Sequence, residues 1–138
     1  MPGKVFIDTN LLVYACDSHN AAKQKLARTY LFELADTGRG VLSTQVLQEF
    51  YVTVTGKLHI DPIIAKSLIR SFSHFTLISV SHEMILDAID CSTLLKLSFW
   101  DSLIITAAES GNCTELWAED LSDGQLIRSL RIRNPFNM

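Results

Sequence analysis

Short apolar runs alternate along the chain with longer segments in which apolar residues recur at helical spacing. The short runs predict strands at residues 5–7, 41–43, 77–80 and 115–118, and a last strand-like segment at 130–132. The helical spacing predicts helices at residues 11–16, 21–36, 44–55, 62–72, 82–95 and 98–109. Strands that alternate with helices over short connections are typical of βαβ units. We therefore predict a single α/β domain over residues 1–138, a three-layer α/β/α sandwich around a mainly parallel sheet.

Length and composition narrow the class of protein. A chain of 138 residues, of which 48% are hydrophobic, can bury a core without a disulfide or metal staple. Its three cysteines are far apart and lack CxxC pairing, so neither a disulfide framework nor a zinc site is expected. No apolar run approaches the roughly 20 residues of a membrane helix, and the N-terminus lacks a signal peptide pattern. We therefore expect a cytoplasmic protein that does not contact a membrane.

The charge balance limits how this chain can bind a polyanion. It has a formal net charge of −3 and only 12 Lys plus Arg residues. A protein that holds nucleic acid by a broad basic surface has the opposite balance. Any polyanion should therefore meet a local basic patch or a bound cation.

Four acidic residues follow predicted strands or begin predicted helices. Asp8 follows the first strand, and Asp120 follows the strand at 115–118. Glu49 lies in the helix after the second strand, and Asp101 lies in the first turn of a strongly apolar helix. Because ligands of α/β sheets bind outside the carboxyl ends of the strands, we expect these acids to meet at one edge.

Each acid also has a structural interpretation. Asp8 can cap the following helix, and Asp101 can be the acidic partner of a capping box that starts at Ser98. Asp120 and Asp123 lie in a turn, where acidic residues are common. The joint placement of the four acids favours a site, because unpaired carboxylates at the edge of an apolar core are costly without a compensating cation.

Carboxylates brought together repel one another unless a cation neutralises them. An all-oxygen set of ligands without His or Cys suits a hard cation, Mg²⁺ or Mn²⁺. Such an ion can hold a phosphodiester, activate water and stabilise the leaving oxygen. The acids therefore predict a metal-dependent phosphoryl hydrolase.

Four blocks of the sequence resemble the PIN-domain ribonucleases, and the size of the chain is similar to the VapC-type toxins of toxin–antitoxin pairs. The blocks are residues 5–15 (VFIDTNLLVYA), 48–50 (QEF), 99–104 (FWDSLI) and 118–121 (AEDL). The resemblance implies a PIN-like parallel sheet between helices and an Mg²⁺- or Mn²⁺-dependent endoribonuclease that cuts RNA. It also implies a homodimer and a small antitoxin protein that wraps the toxin and blocks its acidic site.

The resemblance assigns roles to the acidic residues by position. Asp8 and Asp101 would be the central metal ligands, Asp120 a further ligand, and Glu49 a residue that positions water. Thr9 and Asn10 would orient Asp8.

One departure from the family pattern concerns the last acid. The family often has Ser or Thr two residues before that acid, where this chain has Ala118. The fourth ligand is therefore open among Glu119, Asp120 and Asp123, and we favour Asp120.

Basic and aromatic residues supply weaker candidates for binding RNA or an acidic antitoxin segment. Two groups of basic residues can serve, although solvated surface is the simpler interpretation: Arg128, Arg131 and Arg133, and Lys23, Lys25 and Arg28. Phe99 and Trp100 precede Asp101 and can stack on bases, but core packing is the simpler expectation for both.

Two alternatives come from other functional classes. A phosphatase of the haloacid-dehalogenase type also uses a strand-end Asp with Mg²⁺, but it needs a second Asp where this chain has Asn10. A catalytically inactive PIN-like interaction module would keep the fold for partner binding alone. Retention of all four acids argues against it, since such a module would gain stability by losing their repulsion.

Overall fold

The computed structural model describes residues 2–138, which form six strands and six α-helices. The strands are β1 (Lys4–Ile7), β2 (Gly40–Ser43), β3 (Thr76–Ile78), β4 (Cys113–Trp117), β5 (Leu126–Ile127) and β6 (Leu130–Arg133). The helices are α1 (Thr9–Tyr14), α2 (Ala21–Thr37), α3 (Thr44–Gly56), α4 (Pro62–Ser71), α5 (His82–Leu95) and α6 (Phe99–Ser110). Short 3₁₀ helices follow α4 (Phe72–His74) and close the chain (Pro135–Asn137).

All six strands form one sheet in the order β3-β2-β1-β4-β6-β5. Every pair in it is parallel except β5 with β6, which is antiparallel. Strand β1 lies near the middle, and its residues Val5, Phe6 and Ile7 are fully buried because helices cover both faces of the sheet. The prediction of an α/β/α sandwich around a mainly parallel sheet is confirmed.

Three of the differences between the predicted and the observed elements have local reasons. Helix α1 begins at Thr9, because the Asp8 side chain accepts the backbone N–H of that residue. Strand β3 ends at Ile78, and the next backbone segment turns so that Val80 N–H donates to Thr44 Oγ1 over 3.1 Å. Strand β5 was missed, because two residues carry no periodic pattern.

The order of the strands places a crevice at the carboxyl ends of β1 and β4. The chain leaves β1 for β2 and β3 on one side, then returns to β4 and β6 on the other. At such a reversal the connections diverge and leave room for a ligand. The residues that follow β1 and β4 therefore meet at one edge of the sheet.

Capping residues fix the two helices that face this edge. Ser43 Oγ accepts the N–H of Val46 and starts α3, while Ser98 Oγ accepts the N–H of Asp101 and starts α6. Helix α6 is buried from Ser102 to Ala108, as its apolar sequence predicted. The first turn of α6 therefore leaves the core at the crevice.

The structure also bears on the cysteines and on membrane contact. Cys16, Cys91 and Cys113 are all free thiols, which confirms that no disulfide framework supports the fold. Burial raises the pKa of Cys113 to about 12, so this thiol stays protonated. Within residues 2–138, no helix combines the length and the apolar character that crossing a membrane requires.

Candidate active site

A cavity of about 570 Å³ opens at the carboxyl edge of the sheet, between α3 and the first turn of α6. It is lined by Asp8, Thr9, Asn10, Gln45, Gln48, Glu49, Val52, Thr53, Trp100, Asp101, Ile104 and Asp120. Four separate segments of the chain thus bring the four predicted acids into one cavity, together with Thr9 and Asn10. We call this space the acidic cavity.

Asp8 lies deepest among the acids, at the end of β1. Its Oδ1 atom accepts the Thr9 N–H over 2.7 Å, and its own N–H donates to the Trp117 carbonyl over 3.1 Å. Burial is the largest cause that raises the pKa of the Asp8 carboxyl to about 7; the charges of Glu49, Asp101 and Asp120 add to the rise, and the Thr9 hydrogen bond opposes it. The other three acids therefore act electrostatically on Asp8.

Glu49 projects from α3 into the same cavity. Burial raises the pKa of its carboxyl, and the charge of Asp101 adds to the rise, while Gln45 and Thr9 oppose it. Gln45 Nε2 donates to Glu49 Oε1 over 3.2 Å and to the Trp100 carbonyl over 3.2 Å. Gln45 therefore ties Glu49 to the start of α6, a role that sequence reasoning missed although it lies one turn before Glu49.

The surroundings of Asp101 decide between a helix-capping role and a role in the acidic cavity. Its backbone N–H is held by Ser98, but within residues 2–138 its carboxylate accepts no hydrogen bond. The reciprocal bond of a capping box is therefore not formed, and the Asp101 carboxylate faces the cavity.

The segment after β4 holds three acids, of which Asp120 alone lines the cavity. Asp120 Oδ2 accepts from Asn10 Nδ2 over 3.1 Å, so Asn10 contacts this acid rather than Asp8. Asp123 Oδ1 instead accepts the Asn134 N–H over 2.9 Å. Glu119 is turned away from the cavity by contacts of its own.

Those contacts form a cluster around the ammonium group of Lys23. Lys23 Nζ lies 2.6 Å from Glu119 Oε2, and the Tyr14 hydroxyl donates to Glu119 Oε1 over 3.0 Å. The same ammonium lies 4.6 Å from the Tyr14 ring centre and 4.9 Å from that of Phe136. This Lys23 cluster connects the segment that carries Asp120 to α1, α2 and the C-terminal 3₁₀ helix.

The chemistry of the cavity fits a hard divalent cation. Its charged lining consists of carboxylates, and among residues 2–138 the buried Gln45 Oε1 atom beside them lacks a hydrogen-bond partner. The geometry of a closed cage is not preformed, however. Across residues 2–138, no three His, Cys, Asp or Glu side chains converge as ligands.

The six basic residues proposed as binding candidates lie outside the acidic cavity. Arg128 pairs with Asp87 and Glu109, and these contacts raise its pKa. Most of the others also have intramolecular partners: Arg131 with the Gly124 carbonyl, Arg133 with Glu115, Lys23 with Glu119 and Arg28 with the Ala15 carbonyl. Lys25 is exposed. Their part in binding stays a prediction.

Comparison with known proteins places this site in a family. Residues 5–122 match the PIN domain family, a range that includes all four acids of the cavity. The chain belongs to the PIN domain family. No match was found among the curated proteins, so the remaining comparisons of this PIN domain are structural.

Several solved structures share the fold of this PIN domain at low sequence identity. A toxin–antitoxin complex from Klebsiella pneumoniae aligns with a TM-score of 0.70 and 19% identity, over 96% of this chain and 98% of that one. VapBC2 from Rickettsia felis, bound to a promoter DNA fragment, aligns with a TM-score of 0.68 and 21% identity, over 94% and 96%. Mycobacterium tuberculosis VapC20, a toxin that cleaves the sarcin–ricin loop, aligns with a TM-score of 0.66 and 17% identity, over 85% of this chain and 90% of that one.

Proposed function

We propose that this PIN domain is an Mg²⁺- or Mn²⁺-dependent endoribonuclease and the toxin of a toxin–antitoxin pair. The observation that carries the proposal is the acidic cavity, in which the charges of Glu49, Asp101 and Asp120 help to raise the pKa of Asp8. Structural similarity to a toxin that cleaves the sarcin–ricin loop supports RNA as the substrate.

The residues of the cavity have different roles in the proposed hydrolysis of a phosphodiester. Asp8, Asp101 and Asp120 would hold the ion, which when bound supplies charge neutralisation at the phosphate and activation of water. Glu49, whose pKa is raised, orients the attacking water and accepts its proton. Water attacks the phosphorus, the P–O bond to one ester oxygen breaks, and that oxygen takes up a proton from a solvent water molecule as it leaves. Asn10 and Gln45 orient Asp120 and Glu49 through the hydrogen bonds described above.

The proposal extends to protein partners. Two of the similar structures are complexes of toxin with antitoxin, which supports a cognate antitoxin protein for this chain. A homodimer is part of the same proposal. Helix α5 has large apolar side chains that are exposed to solvent, including Leu86 at 51% and Leu94 at 77% exposure. A dimer would cover such side chains.

One pair of variants tests the catalytic proposal. Asp101→Asn removes a charge from the cavity but keeps the shape and the Ser98 cap of α6. Asp36→Asn makes the same chemical change at an exposed position near the end of α2, outside the cavity. We expect the first variant to lose at least about 100-fold in Mg²⁺-dependent RNA cleavage and the second to keep its activity. Equal cleavage by both variants would contradict the assignment.

The interaction-module alternative makes a different prediction for the same proteins. A PIN-like module without catalysis has no use for an ion, so calorimetry with Mg²⁺ or Mn²⁺ would detect no binding to the purified wild type. The phosphatase alternative needs a second catalytic Asp at position 10. This chain has Asn10 there, and its amide donates to Asp120.

A further inference from the structure

A large aromatic side chain stands at the edge of the acidic cavity with most of its surface in solvent. Trp100 is 63% exposed although it lines the same cavity as the four carboxylates, so the expectation of core packing is wrong for this residue. The other tryptophan, Trp117, is 5% exposed, and its indole N–H donates to Glu115 Oε1 over 3.0 Å. Exposed tryptophans are uncommon and are enriched where proteins bind other molecules.

The backbone of Trp100 is held by the same residue that holds Glu49. The Trp100 carbonyl accepts from Gln45 Nε2, whose other acceptor is Glu49 Oε1. The ring also packs edge-on against Phe99, with ring centres 5.2 Å apart and an interplanar angle of 74°. The backbone anchor and the contact with Phe99 restrict the position of the indole beside the acids before any ligand binds, which lowers the entropy lost on binding.

The composition of the cavity indicates what such a face would bind. Acids with a bound cation suit a phosphate, but among the described residues no Lys or Arg lines the cavity to strengthen that contact. Trp100 and Val52, which is 69% exposed, supply apolar surface at the same opening. A ligand that matches both parts carries a phosphate next to a flat apolar group, as a nucleotide of RNA does.

We propose that Trp100 is a stacking platform for an unpaired nucleobase next to the phosphodiester that is cut. The proposal rests on the proposed ribonuclease function and adds a requirement on the substrate. A base within a duplex has both faces covered by its neighbours, whereas a base in a loop or single strand can stack on an aromatic ring. Trp100 therefore selects single-stranded or looped RNA.

Steady-state kinetics of three variants test the platform. Trp100→Ala removes the ring, Trp100→Phe keeps a smaller one, and Phe32→Ala removes an aromatic side chain that is 75% exposed on α2, outside the cavity. With single-stranded RNA, we expect Trp100→Ala to raise KM about tenfold while kcat changes less than about threefold. Trp100→Phe should recover most of the loss, and Phe32→Ala should match the wild type. An unchanged KM in Trp100→Ala, or a loss confined to kcat, overturns the platform.

Tryptophan fluorescence gives a readout that does not depend on cleavage. It uses the Asp8→Asn protein, in which RNA is not cut and one charge that repels phosphate is removed. We expect a single-stranded RNA to quench the exposed Trp100, and a duplex of the same sequence to quench it far less. The quenching should vanish when Trp100→Phe is added, because Trp117 is buried.

The outcomes separate this inference from the function on which it rests. Cleavage by the wild type without quenching of Trp100 overturns the platform and leaves the ribonuclease in place. Quenching by single-stranded RNA in a protein whose wild type cuts no RNA supports the platform and contradicts the ribonuclease. If Trp100→Ala keeps its KM for RNA but loses binding of the antitoxin, the indole is a protein contact and the platform is wrong.

Discussion

Glu119 and Asp120 are adjacent in the sequence, yet their carboxylates lie in opposite environments. Glu119 is 2.6 Å from the Lys23 ammonium and also accepts from the Tyr14 hydroxyl. Asp120 lies in the acidic cavity, and its hydrogen-bond partner is the neutral amide of Asn10. An acid paired with a cation is compensated within the fold, whereas an acid among acids attracts a cation from solution.

The same difference divides the molecule into two kinds of region. In the Lys23 cluster, and where Arg128 meets Asp87 and Glu109, opposite charges join separate elements of the fold. In the acidic cavity, the described lining has acids but no basic side chain. The ion pairs add modest stability to the fold. The acidic cavity lowers the stability of the fold but leaves carboxylates that a cation from solution can bind. The predictions that follow separate these two roles.

The largest expected effect comes from the most buried acid. Asp8→Asn removes the charge whose burial raises the pKa to about 7, and the amide oxygen can still accept the Thr9 N–H. In EDTA at pH 8, we expect the variant to be more stable than the wild type, with a free energy of unfolding higher by on the order of 2 to 4 kcal/mol. Denaturant unfolding measures this difference. A less stable variant would show that Asp8 has a structural role instead.

The pH dependence of that difference gives a second test. Asp8 keeps its proton in the folded protein up to about pH 7, whereas its ordinary pKa is 3.8, so the folded state binds more protons between these values. Its contribution to stability is therefore complete below about pH 4 and is lost as the pH rises to 7. We expect Asp8→Asn and the wild type to be equally stable near pH 4, to diverge up to pH 7, and to keep a constant difference above it. A difference that does not change with pH would contradict the burial of this charge.

Addition of a divalent cation should compensate the cavity and leave the Lys23 cluster unchanged. At a concentration about 100 times its Kd, Mg²⁺ or Mn²⁺ should stabilise the metal-free wild type by about 2.7 kcal/mol. The thermal midpoint of unfolding reports this gain. Asp101→Asn should lose most of the gain and Asp36→Asn should keep it. An equal gain in both variants would place the binding of the ion elsewhere.

The smallest expected effect comes from the compensated acid. Lys23→Met removes the ammonium that holds Glu119 but keeps a side chain of similar length, and the pair is partly exposed. We expect a loss of about 0.5 to 1 kcal/mol in unfolding free energy. Because the cluster anchors the segment that carries Asp120, we also expect a loss of activity of about tenfold or less.

Two further variants control this prediction. Lys57→Met changes an exposed lysine after α3 and should alter neither quantity. Glu119→Gln should resemble Lys23→Met, and the double variant should add little to either single change, because both remove the same ion pair. A loss of activity as large as that of Asp101→Asn would instead place Glu119 among the catalytic acids.

Much of the fold follows from periodic patterns that depend on local sequence. Helix α5 was predicted with the bounds that the structure has, because Ser81 caps it and Glu83 lies in its first turn. Strand β5 was missed because two residues carry no period, and its antiparallel pairing depends on contact with β6. Asp8, Asp101 and Asp120 were found because each follows a strand or begins a helix, whereas Glu49 was found within the helix that follows the second strand; these positions are visible in the sequence.

The sequence by itself determined the order of the elements, and it predicted the acids of the candidate site and the hard cation that suits them. These follow from local periodicity, capping and the chemistry of side chains. Only the tertiary structure decided which acids lack a cationic partner within the fold, because compensation depends on partners that are distant in sequence. Lys23 reaches Glu119 across 96 positions, and Asn10 reaches Asp120 across 110. The exposure of Trp100 is of the same kind, since apolar neighbours in sequence do not show which side chain faces the cavity.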